Sequence, residues 1–291
     1  MKTSAVSFIN YKGGVGKTTL TVETAAGLAA WDRVRVLICD VDPQTNASIY
    51  LMDPERWSDW AAEHGTVRDV FCAAIEGDGG IDLADRIYQY ASPDGVRIDL
   101  LPSHPALMRD EPRLATQFGP AGFDAVTILR NALRQVAAQY DVILFDCPPN
   151  LGLVTQNALV ASTSYAIVAM PEYLSTYGIK ILQEYIDEMS QRWSEYASQF
   201  GGSFAGPQLK GIIFNRVKYL THGTKSQERQ MDQVRRGSLG QVVFESQVAE
   251  TDRFPQRAEL TLPIVLSSSA ADAQYKTQVE AVVREFIEKV V

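Results

Sequence analysis

Seven short apolar runs punctuate this chain: AVSFIN (5–10), VRVLIC (34–39), VRIDLL (96–101), DVILFD (141–146), YAIVAM (165–170), LKGIIF (209–214) and QVVFE (241–245). Most are nearly continuous in hydrophobicity rather than alternating, as strands covered on both faces should be. Helix-length stretches separate them. Residues 123–140 place Phe123, Val126, Leu129, Leu133, Val136 and Tyr140 on one face, and Tyr275, Val279, Val282, Phe286 and Val290 form a second stripe near the end. Both stripes are read as ordinary core packing. Strands alternating with helices predict an α/β fold: one doubly wound, mostly parallel sheet with helices on both faces. Residues 51–120 are the least regular. Their turn-forming clusters EGDGG (76–80) and ASPDG (91–95) predict surface excursions from a single domain spanning residues 1–291.

Composition narrows the class. At 291 residues, 46% hydrophobic and 21% charged, the chain can bury a large core. Three widely spaced cysteines (Cys39, Cys72 and Cys147) argue against a disulfide framework, and His64, His104 and His222 show no zinc spacing. The apolar stretch in MKTSAVSFIN is too short for a signal peptide, and no apolar run reaches about 18 residues. A cytoplasmic protein without a membrane span is expected. The net charge of −8 alone argues against nucleic acid as a partner. Yet residues 210–257 hold nine Lys/Arg against five Asp/Glu, a balance of +4, so the remainder carries −12. An acidic body with one basic section leaves that partner open.

The chemistry begins at YKGGVGKT (11–18), between the first apolar run and a helical stretch starting near Thr18. A phosphate-binding loop has the form G-x-x-x-x-G-K-[ST] in this strand–turn–helix setting. Gly13, Gly14 and Gly16 let the backbone curl so that N–H groups, including those of Val15, Thr18 and Thr19, can face phosphate oxygens. The helix start adds its positive dipole end. Lys17 suits the terminal phosphates and the Thr18 hydroxyl suits Mg²⁺. Tyr11 stands where the first glycine is usual, and a second lysine, Lys12, follows it.

Carboxylates end two other runs. In CDVDPQTNAS (39–48), Asp40 and Asp42 are two residues apart and leave a strand on the same side. Ligands bind at the carboxyl ends of parallel strands, so either could orient a water or hold a metal-bound water. Either could instead cap the strand end or the next helix. DVILFD delivers Asp146, the Walker B arrangement in which a buried strand presents a carboxylate toward the metal. Pro148 and Pro149 then stiffen the exit.

Together, KGGVGKTT, DVDPQTNAS and DCPPNLGLVTQNAL resemble the deviant Walker A ATPases, most closely the ParA-type partition ATPases of the ParA–MinD family. MPEYLSTYGIKIL (170–182), FNRV (214–217) and the tail from TDRFPQRAELTLPIVL onward extend the resemblance over nearly the whole chain, residues 51–120 matching poorly. The resemblance implies ATP and Mg²⁺ as cofactors. It also implies an ATP-dependent homodimer in which Lys12 reaches the nucleotide of the partner subunit. Asp42 would orient the hydrolytic water, while Thr18, with Asp40 and Asp146 through water, would serve the metal. Asn215 and Arg216 fall where the family contacts adenine. The phosphate loop starts at residue 11, so a small form without the helix-turn-helix of longer members is expected, and sequence-specific operator binding is not.

For such a switch the resemblance implies non-specific DNA as the track and a nucleoid-associated location. Lys218, Lys225, Arg229, Arg235, Arg236, Arg253 and Arg257 are the candidate phosphate contacts. A ParB-type partner would stimulate slow hydrolysis, and the helix near Tyr173–Gln191 offers it an acidic docking place. Membrane attachment of the MinD kind is not expected, because Lys276, Arg284 and Lys289 in the last helix are balanced by Glu280, Glu285 and Glu288. A related ATPase positioning a cargo other than DNA is the alternative.

Overall fold

The computed structural model describes residues 3–77, 80–118, 123–218 and 225–291. Its first half runs β1 (Ser4–Ile9), α1 (Lys17–Trp31), β2 (Val36–Asp40), α2 (Asn46–Leu51), α3 (Pro54–Glu63), α4 (Val67–Glu76), β3 (Tyr88–Ala91), β4 (Arg97–Leu101), α5 (Leu107–Phe118) and α6 (Phe123–Leu133). The second half runs β5 (Val142–Asp146), α7 (Leu153–Ala161), β6 (Ser164–Ala169), α8 (Tyr173–Gln199), β7 (Gln208–Val217), α9 (Lys225–Arg235), β8 (Val243–Ala249), α10 (Arg253–Glu259) and α11 (Ala273–Lys289). The strands form one sheet in the order β3-β4-β2-β5-β1-β6-β7-β8. Every pairing is parallel except β3 with β4 at one edge.

Both faces of the central strands are buried, which is why their sequences are continuously apolar. Val6 and Phe8 of β1, with Val142 and Leu144 of β5, join a core with α1 and α11, where Phe8 stacks on Phe286 at 5.6 Å. Ile143 and Phe145 face the opposite core with residues of α4 to α7, and Ile9 joins the cluster under α8. The parallel register sets β1, β2 and β5 side by side, pairing Phe8 with Asp146 and Asp40 with Asp146. The loops after all three therefore emerge at one end of the sheet.

Two expectations need correction. Residues 51–120 are not wholly outside the sheet: β4 pairs with β2, and β3 closes the edge through a hairpin whose turn is ASPDG, with Gly95 at φ 78°, while α3, α4 and α5 make up most of the remainder. Of the other cluster, Asp78 and Gly79 lie outside the described residues. The helix expected over 123–140 stops at Leu133 and continues as tight turns to Tyr140. Gln135 is drawn to the Leu83 N–H and the Ile81 carbonyl, a tertiary contact that no local spacing announces. Val136 and Tyr140 are nonetheless buried as expected.

Glu23 of α1 is a fully buried carboxylate that pattern reading passed over. It accepts hydrogen bonds from Tyr50 Oη (2.7 Å) and from the N–H groups of Ile264 (2.8 Å) and Val265 (3.0 Å), tying α1 to α2 and to the segment before α11. Burial pushes its carboxyl up to about 7, against three hydrogen bonds that favour the ionised form. A folded pKa above the unfolded value of 4.5 gives stability that is full below 4.5 and lost as pH rises through about 7. Glu23→Gln, with no proton to lose, should flatten this part of the pH profile. It should also cost about 1–3 kcal/mol at acid pH, because its NH₂ must face a main-chain donor. Urea unfolding at pH 5, 6 and 8 checks both; parallel profiles for variant and parent would assign the titration to another group.

Candidate nucleotide site

The loop after β1 is held from beneath. Asn10, buried at the strand end, donates through Nδ2 to the Val168 carbonyl (2.6 Å) and accepts at Oδ1 from the Lys12 N–H (3.0 Å). The chain then turns with Gly14 at φ 73° and Gly16 at φ 89°, a region glycine enters without steric cost. Gly16 has a second constraint, since a Cβ there would collide with the Asn215 amide. Val15 is buried, and α1 starts at Lys17.

Lys17 is 7% exposed, and its Nζ lies 3.4 Å from the Asn10 carbonyl. Burial lowers its pKa, an effect opposed by Asp146 and Asp42. Thr18 Oγ1 donates to Asp146 Oδ2 at 2.7 Å. The other oxygen, Asp146 Oδ1, is buried without a hydrogen-bond partner. Burial pushes the Asp146 carboxyl up to about 7; Thr18 opposes the shift and Asp42 adds to it. An orphaned carboxylate oxygen beside a threonine hydroxyl at a phosphate-type loop fits Mg²⁺, a hard cation that takes oxygen ligands and keeps several waters. No cluster of three or more His, Cys, Asp or Glu placed to hold a metal exists among the described residues.

The two aspartates after β2 separate. Both oxygens of Asp40 are engaged: Oδ1 accepts from the Asp42 N–H (3.1 Å), and Oδ2 accepts from Ser48 N (2.9 Å) and Oγ (2.7 Å). Asp40 thus ties the Asp42 loop to the start of α2. This capping arrangement gives Asp40 a structural role in the loop, and its contacts here are to the main chain and Ser48. Burial and then Asp146 raise its carboxyl well above the usual range. Asp42 is 6% exposed and lines the open cleft, with Oδ1 accepting from the Gln44 N–H at 2.9 Å. Burial raises its pKa, opposed by that N–H and by Lys17.

This cleft has a volume of about 480 Å³ and reaches from Gly13 and Lys17, past Thr19 and Asp42, to Asn215, Arg216 and the segment 249–255. A more apolar groove of about 560 Å³ lies between α8 and α9, lined by Tyr177, Ile181 and Val234 among others. It contains neither the glycine loop nor the aspartates, so chemistry assigns a nucleotide to the first cleft. At the end of β7, Asn215 Nδ2 donates to the Val15 carbonyl (2.9 Å), and Arg216 donates to the Gly14 carbonyl (2.8 Å) and pairs with Glu250 (2.8 Å).

Lys12 folds back within its own chain to Glu172 Oε2 at 2.6 Å, both side chains being about 40% exposed. The basic candidates are less uniform than their sequence suggests. Arg257 is drawn inward to the buried Asp272 (2.6 Å) and is only 16% exposed, so it is removed from the phosphate-contact set. Lys218 pairs with Glu250 at 3.4 Å. Arg229 and Arg236 are exposed, the latter near Asp232, while Arg235 and Arg253 are half-buried. The Lys225 side chain and His222 lie outside what is described. Sequence reading missed Asn10, Ser48 and Glu250, and it placed Glu172 in an acidic docking helix without pairing it to Lys12, 160 residues away. Only Asn10, a polar residue directly ending an apolar strand, carried a local signal.

An eight-stranded, mostly parallel sheet with a glycine-rich loop between its central β1 and the buried α1 is the P-loop NTPase fold. An AAA domain family model matches residues 3–198. The chromosome partitioning protein ParA of Myxococcus xanthus is 32% identical over 262 residues, 88% of this chain and 79% of that one. Among solved structures, an ATP complex of McdA from Cyanothece superposes with a TM-score of 0.74 at 17% identity, covering 99% of this chain and 97% of that one. Cobyrinic acid a,c-diamide synthase from Mycobacterium smegmatis, with a bound ATP analogue and magnesium, gives 0.70 at 23% identity over 98% and 95%. The chain belongs to the ParA family of ATPases.

Proposed function

We propose that this chain is an ATP-driven dimerisation switch of the partition type. The observation that carries the reading is a pair of lysines at one loop: Lys17 buried in the cradle and Lys12 at its exposed mouth. ATP and Mg²⁺ occupy the cleft, with Lys17 and the loop N–H groups on the phosphates and Thr18 and Asp146 serving the metal. The metal neutralises phosphate charge when bound. Asp42 orients the attacking water. The Asn215 amide keeps Oδ1 available to the adenine amine while Nδ2 holds the loop. In the ATP state Lys12 leaves Glu172 and crosses to the nucleotide of a second copy. Two facing triphosphates repel strongly, and a cation from each chain offsets that repulsion in a water-poor interface. Dimerisation then depends on the γ-phosphate.

The ATP dimer binds DNA without sequence readout, and a ParB-type partner accelerates hydrolysis to reset it. Exposed Arg229 and Arg236, with Arg253 and Lys218, support a backbone-contacting surface once two copies are combined. Exposed Tyr173, Tyr177 and Ile181 on α8, close to Lys12 through Glu172, support a protein-facing surface there. Among the described residues no helix is long and apolar enough to cross a membrane.

The test is binding to a random-sequence duplex with ATP, with ADP and without nucleotide, at low and moderate salt. Binding confined to ATP is expected, with log affinity falling against log salt by about 0.9 per phosphate neutralised. ATP-dependent dimers that bind no duplex in any state would remove DNA as the track. The remaining reading would then be an ATPase that positions another cargo through a protein surface.

A further inference from the structure

We infer that Arg216 is a positioning residue that presets the phosphate loop, rather than a contact for the base. The inference rests on the nucleotide-site reading above and deepens it. Two features of β7 aim the side chain. The register between β7 and β8 slips between Phe214 and Val217, and Arg216 itself sits at φ 56°, a left-handed conformation that a non-glycine residue holds only when its surroundings enforce it. The result points Asn215 and Arg216 at consecutive carbonyls of the loop, Val15 and Gly14 respectively.

Holding those carbonyls fixes the donors on the other side of the same peptides. In a planar trans peptide the C=O of one residue and the N–H of the next point in opposite directions. Arg216 on the Gly14 carbonyl therefore orients the Val15 N–H, and Asn215 on the Val15 carbonyl orients the Gly16 N–H. Donors fixed before the anion arrives need no reorganisation when it does. Gly13 and Gly14 meet no neighbouring atom where a Cβ would stand, and Gly14 has positive φ. This stretch of loop therefore has little packing of its own to hold one conformation. The second arm of the Arg216 guanidinium is braced by Glu250, which also accepts Lys218 and lines the same cleft. A planar fork can hold both acceptors at once, which a lysine ammonium does less well.

The experiment measures binding of Mg-ATP, Mg-ADP, Mg-GTP and adenosine to the parent protein, Arg216→Ala, Arg216→Lys and Lys17→Ala by calorimetry, with thermal unfolding of each. Arg216→Ala is expected to weaken ATP and ADP about ten-fold, the scale of one lost charge-assisted hydrogen bond. Adenosine affinity and the ATP-to-GTP ratio should stay at parent values. Arg216→Lys should recover part of the ATP affinity, and it carries the test if the alanine variant does not fold. Unchanged ATP affinity in Arg216→Ala, or a collapsed ATP-to-GTP ratio with adenosine weakened, overturns the inference. Lys17→Ala separates the two layers. If it too leaves ATP affinity intact, the nucleotide-site reading falls; if it alone abolishes ATP binding, only the role of Arg216 falls.

Discussion

Asp42→Ala is expected to lower ATP turnover by about 10²- to 10⁴-fold, the range for removing a group that acts on the attacking water. ATP affinity should remain within a few-fold of the parent. The side chain is placed for this split. It lies at the cleft wall, anchored through one oxygen by the Gln44 N–H, while Asp40 and Ser48 hold the loop that carries it. The substitution removes the Gln44 N–H anchor but leaves the bonds of Asp40 to the Asp42 N–H and to Ser48, so the cradle around Lys17 and Thr18 persists. Single-turnover hydrolysis beside equilibrium binding of a non-hydrolysable analogue makes the comparison. Turnover within a few-fold of the parent would exclude Asp42 as the water-orienting residue. The variant should also hold the ATP state, prolonging any duplex binding that state confers.

Lys12→Ala should abolish ATP-dependent dimerisation at concentrations where the parent is dimeric, weakening self-association by at least about 10²-fold. Close charge pairs in interfaces couple by about 1.5–7 kcal/mol, and each dimer would lose two such contacts. Monomer stability should barely move. The Lys12–Glu172 pair is about 40% exposed on both sides, and pairs of that kind contribute roughly 0–1 kcal/mol. ATP binding to the monomer should persist through Lys17 and the loop N–H groups. Light scattering of the eluted species with ATP, ADP and no nucleotide reads the outcome. A variant that dimerises like the parent would end the cross-subunit role and leave Glu172 as the natural partner of Lys12.

Much of the site was visible in the chain because its chemistry is local. A phosphate loop needs glycines, a lysine and a threonine in fixed order between a strand and a helix, and Gly13 to Thr18 supply them contiguously. Asp146 was found because a buried strand must end before its carboxylate can reach the cleft. The strands were legible for a related reason: burial on both faces leaves little choice but continuous apolar sequence. Within the middle region only the edge strand β3 carries no clear sequence signal, because it pairs antiparallel at the rim and a half-exposed strand such as YQYA is weakly apolar.

Side-chain alliances across the chain were not legible at all. That Asp40 holds the loop of Asp42 depends on the approach of Ser48, which spacing alone does not announce. Arg257 looked as available as Arg236 until Asp272 was seen buried beside it. The sequence by itself determined the layered α/β fold and the place of the phosphate loop, because hydrophobic period and turn chemistry act over a few neighbouring residues. Only the tertiary structure decided which charges remain free for phosphate, metal or a partner. A charge in water and a charge satisfied by a neighbour two hundred residues away are written with the same letter, and burial is what separates them.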